Sequence, residues 1–204
     1  NTLNLNPGEM TILAIGAHPD DCEISCSGAA ALWAKAGNRI IFLSMTDGRS
    51  GHHILQDDDI VARRAKEASA AAKVINAESR NLKVMDGFLE PTLENRLNLI
   101  REIRGIMPDV IITNRPNDYH PDHRYTAQLV QDSAYLFMVP HLAADITALR
   151  YNPVILYWDD TFKYPKDFEP NVVLDIDPVM PEKMAMIHEH ESQVYEWLPY
   201  VSIY

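Results

Sequence analysis

Residues 10–17 (MTILAIGA) form a near-continuous apolar run of strand length, the pattern of a central strand covered on both faces. Small and apolar residues follow at 27–36 (SGAAALWAKA), good helix material that Gly37-Asn38 is placed to stop. Residues 39–45 (RIIFLSM) predict a second buried strand, and strand, loop, helix and strand in that order make a parallel βαβ unit. The alternation continues. Residues 57–75 set Ala and charged residues at helical spacing, 82–85 predict a short strand, and 93–107 predict an amphipathic helix that Pro108 ends. Residues 109–113 (DVIIT) predict the next strand, 125–137 a helix, 154–158 and 172–176 two more strands, and 181–195 a last helix. The stretch 159–171 mixes aromatic, Pro and charged residues and reads as a loop, not a domain linker. The expected architecture is one domain over 1–204, a three-layer α/β fold with a largely parallel sheet.

Composition changes this picture only in what it excludes. A chain of 204 residues with 47% hydrophobic content is long enough for one substantial core. A net charge of −11 gives no general electrostatic reason to bind nucleic acid or an anionic membrane, so a small-molecule partner is expected; a homo-oligomer is compatible with the chain. No apolar run approaches the roughly 20 residues of a membrane span. No charged-then-apolar leader opens the chain, which favours a cytoplasmic location, while a first residue of Asn rather than Met leaves a removed N-terminal segment open. Cys22 and Cys26 are too few for a disulfide framework and read as small buried thiols.

The candidate chemistry lies where two of the strands end. Residues 14–23 (AIGAHPDDCE) carry His18, Asp20 and Asp21 just past the first strand, and 117–124 (NDYHPDHR) carry His120, Asp122 and His123 just past the strand at 109–113. Open parallel sheets place their sites at the carboxyl ends of strands, so the two segments can share one crevice if their strands are neighbours. His18, Asp21 and His123 make the three-ligand set of a catalytic zinc with a position left open. Asp20, beside the ion without binding it, is suited to take a proton from a water the ion polarises. His120, if protonated, can stabilise an oxyanion and give its proton to a leaving amine, with Asp122 orienting it and favouring its charge. A single His-Pro-Asp most often makes a turn or caps a helix; two copies at strand ends favour a metal site, without naming the reaction.

Together, AHPDDCE, the small-residue helix, TDGRSG at 46–51 and DYHPDHR resemble the PIG-L/LmbE family of zinc-dependent N-acetylglucosaminyl deacetylases. The likeness runs from about residue 11 to residue 193 and takes in RRAKEASAAAKVI at 63–75 and HESQ at 190–193. It implies a Rossmann-like fold, one zinc or other divalent ion held by His18, Asp21 and His123, Asp20 as general base, and His120 as the charged oxyanion stabiliser. It also implies a substrate-contacting arginine at Arg64. Arg49 and Tyr119 are further candidate substrate contacts, Tyr119 as an aromatic face for a carbohydrate. The implied reaction removes an acetyl group from an N-acetylglucosamine-type amino sugar or glycoside. Family substrates include precursors of glycolipid anchors and of low-molecular-weight thiols.

Trp158 and Tyr164 are further aromatic candidates for a carbohydrate face. His52 and His53 read as solvated loop residues, and His188 and His190 as packing and capping groups of the last helix, with His190 able to approach the site. Two other classes stay open. A two-metal phosphoesterase would need a second ligand set, for which only Asp20, Asp47 and Asp122 are available. A non-catalytic sugar-binding module would have no use for a base and an acid flanking an open metal position. No Gly-x-Gly-x-x-Gly follows the first strand, so a dinucleotide site is not expected.

Overall fold

The computed structural model describes residues 8–202; the first seven residues, on which the reading of a leader bears, lie outside them. Five strands form one parallel sheet: β1 (Thr11–Gly16), β2 (Arg39–Thr46), β3 (Glu78–Val84), β4 (Val110–Thr113) and β5 (Val154–Tyr157), in the order β3-β2-β1-β4-β5. The chain runs outward from β1 to β3 on one side and then returns to lay β4 against the other edge of β1. The topological switch point is therefore between β1 and β4, whose pairing ends at Ile15 opposite Thr113.

Strand alternation builds two cores. Ile12 and Ala14 of β1, with Ile40 and Phe42 of β2, face one helix layer, while Leu13, Ile15, Ile41 and Leu43 face the other. The first face is covered by α1 (Asp21–Lys35), α2 (Asp57–Lys73) and α5 (Met180–Glu189), through Cys22, Cys26, Ala30, Ala31, Ala71, Ala72 and Met186. The second is covered by α3 (Leu93–Ile106) and α4 (Pro121–Ser133), through Leu99, Ile100, Ile103, Leu129 and Val130. Burial on both faces is why β1 and β2 lack a polar stripe. Both cysteines are free and buried.

Several expected boundaries differ. Helices α1 and α4 start at Asp21 and Pro121, not at 27 and 125, so both His-Pro-Asp motifs are strand-to-helix elbows. The polar motif residues fill first-turn positions, where short acids and Pro are favoured. Strand β3 begins at Glu78, four residues before the expected start. Residues 172–176 are not a strand. Val172 and Val173 are 68% and 79% exposed: the β-branched run lies on the surface and does not pair with β5, whose outer edge stays open among the described residues. The expected last helix divides: α5 stops at Glu189, a π-helical turn covers Ser192–Trp197, and a short α6 (Leu198–Val201) follows. No helix among the described residues is long and apolar enough to cross a membrane.

Candidate active site

The elbow after β1 is shaped by Gly16, where an added Cβ would lie 2.6 Å from the Cβ of Asp21. That approach lets the Asp21 carboxylate fold back so that Oδ2 accepts the backbone N–H groups of Ala17 at 2.7 Å and His18 at 3.0 Å. Its other oxygen, Oδ1, lies 3.4 Å from Nε2 of His123 in the elbow after β4. His18 sits between the elbows, with Nδ1 3.6 Å from Asp21 Oδ2 and Nε2 3.2 and 3.4 Å from carboxylate oxygens of Asp86 and Asp122. His120 caps α4, its Nδ1 accepting the Asp122 N–H at 3.2 Å. Its ring centroid is 4.7 Å from that of His18 and 5.0 Å from that of His123.

His18, Asp21, Asp86, His120 and His123 line one pocket of about 220 Å3, together with Asp20, Arg64, Ser50, Gly51, Tyr119, Ile24, Trp197 and Leu198. Arg64 is buried; Nη2 donates to Asp20 Oδ1 at 2.9 Å and Nη1 to the Gly48 carbonyl at 2.9 Å. Gly48 has φ +74° and its position would bring a Cβ to 2.7 Å from Arg64 Nη1, so a side chain there collides with the guanidinium. Ser192 donates through its backbone N–H and its hydroxyl to Glu67, and Gln193, which lines the pocket, donates through Nε2 to the Gly51 carbonyl at 2.9 Å.

Electrostatically the site is a ring of carboxylates around imidazoles. Burial disfavours charge on His18 and His123, but Asp21, Asp122 and Asp86 outweigh it for His18, holding its pKa well above the ordinary value. Asp21 and Asp118 do the same for His123, raising it to about 10. Burial opposes ionisation of Asp21, yet His123 and His18 hold its carboxyl well below the usual range. His120 shifts the other way, lowered by burial and by the charges of His18 and His123.

The same field suits a divalent cation, and the donor spacing tests the fit. Ligand atoms of a tetrahedral ion with bonds of about 2.0–2.1 Å lie roughly 3.3–3.4 Å apart, the separation of Asp21 Oδ1 and His123 Nε2. Donor atoms of His18, His120 and His123 lie within 4.8 Å of one another, as do those of His18, Asp86 and Asp122. Asp122 Oδ1 is buried with no hydrogen-bond partner among the described residues. The site thus holds donor sets that fit a metal ion; neither of these two groups of three includes Asp21, which meets His123 and His18 pairwise at 3.4 and 3.6 Å.

Of the residues singled out from the sequence, His18, Asp20, Asp21, Arg64, Tyr119, His120 and His123 meet in the pocket. Asp122 lies against it, but its carboxylate accepts the Gly87 N–H at 2.8 Å and faces His18, meeting His120 only through its backbone. Arg49 turns onto Asp47 at 2.8 Å and is not among the lining residues. Trp158 belongs to the core, and Tyr164 is 74% exposed away from the pocket. His52 is not a solvated residue: its side chain is 2% exposed and Nε2 lies 2.8 Å from Glu196 Oε2. His190 is buried, with Nε2 3.5 Å from Glu23. Two residues were missed, Asp86 and Asp118. Asp86 lies two residues past the end of β3 and Asp118 two residues ahead of His120; the rule that strand ends carry the site was the signal available for both.

The sequence profile described as PIG-L: GlcNAc-PI de-N-acetylase matches residues 13–134, more than half of the chain. A diacetylchitobiose deacetylase of Thermococcus kodakarensis is 27% identical over 206 residues, covering 93% of this chain and 74% of the relative. The solved N,N'-diacetylchitobiose deacetylase from Pyrococcus horikoshii superposes with a TM-score of 0.81 at 26% identity, over 94% of this chain and 75% of that one. The 4-carboxy-2-hydroxymuconate hydratase of Pseudomonas putida also reaches a TM-score of 0.81, at 20% identity over 95% of this chain and 84% of its own. The fold alone therefore does not select the reaction.

Proposed function

This chain belongs to the PIG-L family, and on that premise we propose that it is a metal-dependent N-deacetylase. Acting as one domain, it hydrolyses the acetamide of an N-acetylglucosamine-type amino sugar or glycoside, with zinc as its ion. The observation that carries this reading is the meeting of His18, Asp20, Asp21, His120 and His123 in one pocket at adjoining strand ends. In this reading His18, Asp21 and His123 hold the ion, which when bound polarises the amide carbonyl and acidifies water in the site.

The remaining steps belong to the side chains. Asp20, held through one oxygen by Arg64, takes the proton of the attacking water as its oxygen bonds to the carbonyl carbon. His120 accepts the Asp122 N–H at Nδ1, so Nε2 carries the proton of the ring and donates to the carbonyl oxygen as negative charge builds there. The C–N bond then breaks as the amine nitrogen takes the proton that Asp20 accepted from the water, while the Nε2–H of His120 still donates to the oxygen. Burial lowers the pKa of His120, in keeping with a neutral ring. Tyr119, Trp197 and Leu198 offer apolar faces to the sugar ring in the pocket.

Acetate release from a panel of N-acetylated amino sugars and glycosides tests the reading. Release from at least one member, abolished by a strong chelator and restored by zinc, is expected. Release that a chelator leaves untouched, or no release from a zinc-loaded protein across the panel, overturns it.

A further inference from the structure

The carboxylate of Asp118 has a different partner on each oxygen. Oδ2 lies 3.0 Å from Nδ1 of His123, and Oδ1 accepts the backbone N–H of His120 at 2.9 Å. The side chain is 2% exposed, and its backbone is pinned as well, since Arg124 Nη1 donates to the carbonyls of Asp118 at 2.8 Å and Tyr119 at 3.0 Å. One residue thus grips the imidazole read above as a metal ligand and the main chain of the imidazole read as the oxyanion donor.

A neutral imidazole carries its proton on one nitrogen and a lone pair on the other, and an ionised carboxylate can only accept. With Asp118 against Nδ1, the proton of His123 belongs on Nδ1 and the lone pair on Nε2. That nitrogen faces Asp21 Oδ1 at 3.4 Å. Two acceptors so placed repel unless a proton or a cation lies between them.

We propose that Asp118 is a positioning residue of the metal site, fixing His123 as the Nδ1–H tautomer with Nε2 turned to the ion and holding His120 in register with it. The inference rests on the reading of His123 as a ligand. A carboxylate behind a metal-bound histidine raises its basicity and sets its orientation, and losing one typically costs 10–100-fold in metal affinity. A carboxylate that only stapled the loop to the start of α4 would lower stability without changing the ring's tautomer.

The test uses the zinc-loaded full chain and its Asp118→Ala and Asp118→Asn variants, with two readouts. Zinc affinity is measured by competition with a chelator, and the tautomer of His123 by two-bond nitrogen–proton NMR on histidine-labelled protein, assigned by the loss of its signals in His123→Gln. The wild type is expected to show the Nδ1–H pattern. Asp118→Ala is expected to hold zinc roughly 10–100-fold more weakly, with the Nδ1–H signal of His123 moved upfield or lost to solvent exchange because its hydrogen bond to Asp118 is gone. Asp118→Asn, which keeps an acceptor oxygen without the charge, falls between the two and carries the test if the Ala variant does not fold. Unchanged zinc affinity in the folded variants, or an Nε2–H pattern in the wild type, overturns the proposal while leaving the deacetylase reading intact. A wild type that takes up no divalent ion overturns that reading, and this inference with it.

Discussion

Arg64 Nη2 donates to Asp20 Oδ1 at 2.9 Å, and both side chains are buried. The same guanidinium reaches the carbonyls of Gly48 and Pro19, so it ties the elbow after β1 to the loop after β2 and aims the carboxylate assigned as base. A lysine keeps the charge but not the planar fork. Arg64→Lys is expected to lower kcat by roughly 10²-fold, the cost of a misplaced reacting group, with metal content unchanged. Steady-state kinetics beside metal analysis checks this; an unchanged kcat removes Arg64 from the positioning of Asp20.

Glu196 on the π-helical turn is bound by Arg63 of α2 and by His52 of the loop that lines the pocket with Ser50 and Gly51. Hydrogen bonds from Arg63 and then His52 lower its pKa from 4.5 to about 2. A depressed carboxyl stabilises the fold above its ordinary pKa and loses that contribution as pH falls. The latch is therefore complete above about 4.5 and released as pH drops toward about 2. Glu196→Gln is expected to speed amide exchange in residues 48–56 at neutral pH without changing exchange in β1. Equal exchange in both proteins would show that the latch does not restrain the loop.

Arg104 of α3 is buried and spends its guanidinium on six backbone carbonyls, those of Leu136, Phe137, Val139, Leu142, Ala143 and Ile146. It organises a loop that has little regular structure of its own. Leu136, Phe137, Val139 and Ala143 also accept backbone N–H groups, so Arg104→Met leaves the part-buried carbonyls of Leu142 and Ile146 without a donor, each at roughly 1–3 kcal/mol. A stability loss of about 2–4 kcal/mol is expected on that basis, with kcat per folded molecule retained. Urea unfolding measures it, and a loss below about 1 kcal/mol, the worth of one ordinary hydrogen bond, contradicts the role.

The strands and the site positions were legible for different reasons. Runs such as TILAIG and VIIT announce burial on both faces, so β1 and β4 were readable locally. Their adjacency is a long-range fact, and only the general rule about switch points reached it. The helical starts at Asp21 and Pro121 were hidden because polar motif residues mask the first turn. Residues 172–176 look like a strand to any local measure, and only the tertiary structure shows them largely exposed on the surface and unpaired. Asp86 and Asp118 escaped because a single acid in a loop resembles many others. His52 became meaningful only once the far end of the chain brought Glu196 to it.

The central claim is a division of labour between two neighbouring aspartates. Asp21 faces His123 and His18, whereas Asp20 faces Arg64. Asp20→Asn keeps the size of the side chain but cannot take a proton, so kcat is expected to fall by roughly 10²–10⁴-fold while metal stays bound. Asp21→Asn is expected to lose metal and turnover together. The most direct measurement is the deacetylation rate of Asp20→Asn at verified full metal occupancy. The account predicts a protein loaded with about one ion per chain, as a single three-ligand site requires, and nearly inactive. A loaded protein turning over at the wild-type rate, or an Asp20→Asn protein that loses its metal while Asp21→Asn keeps it, contradicts the account.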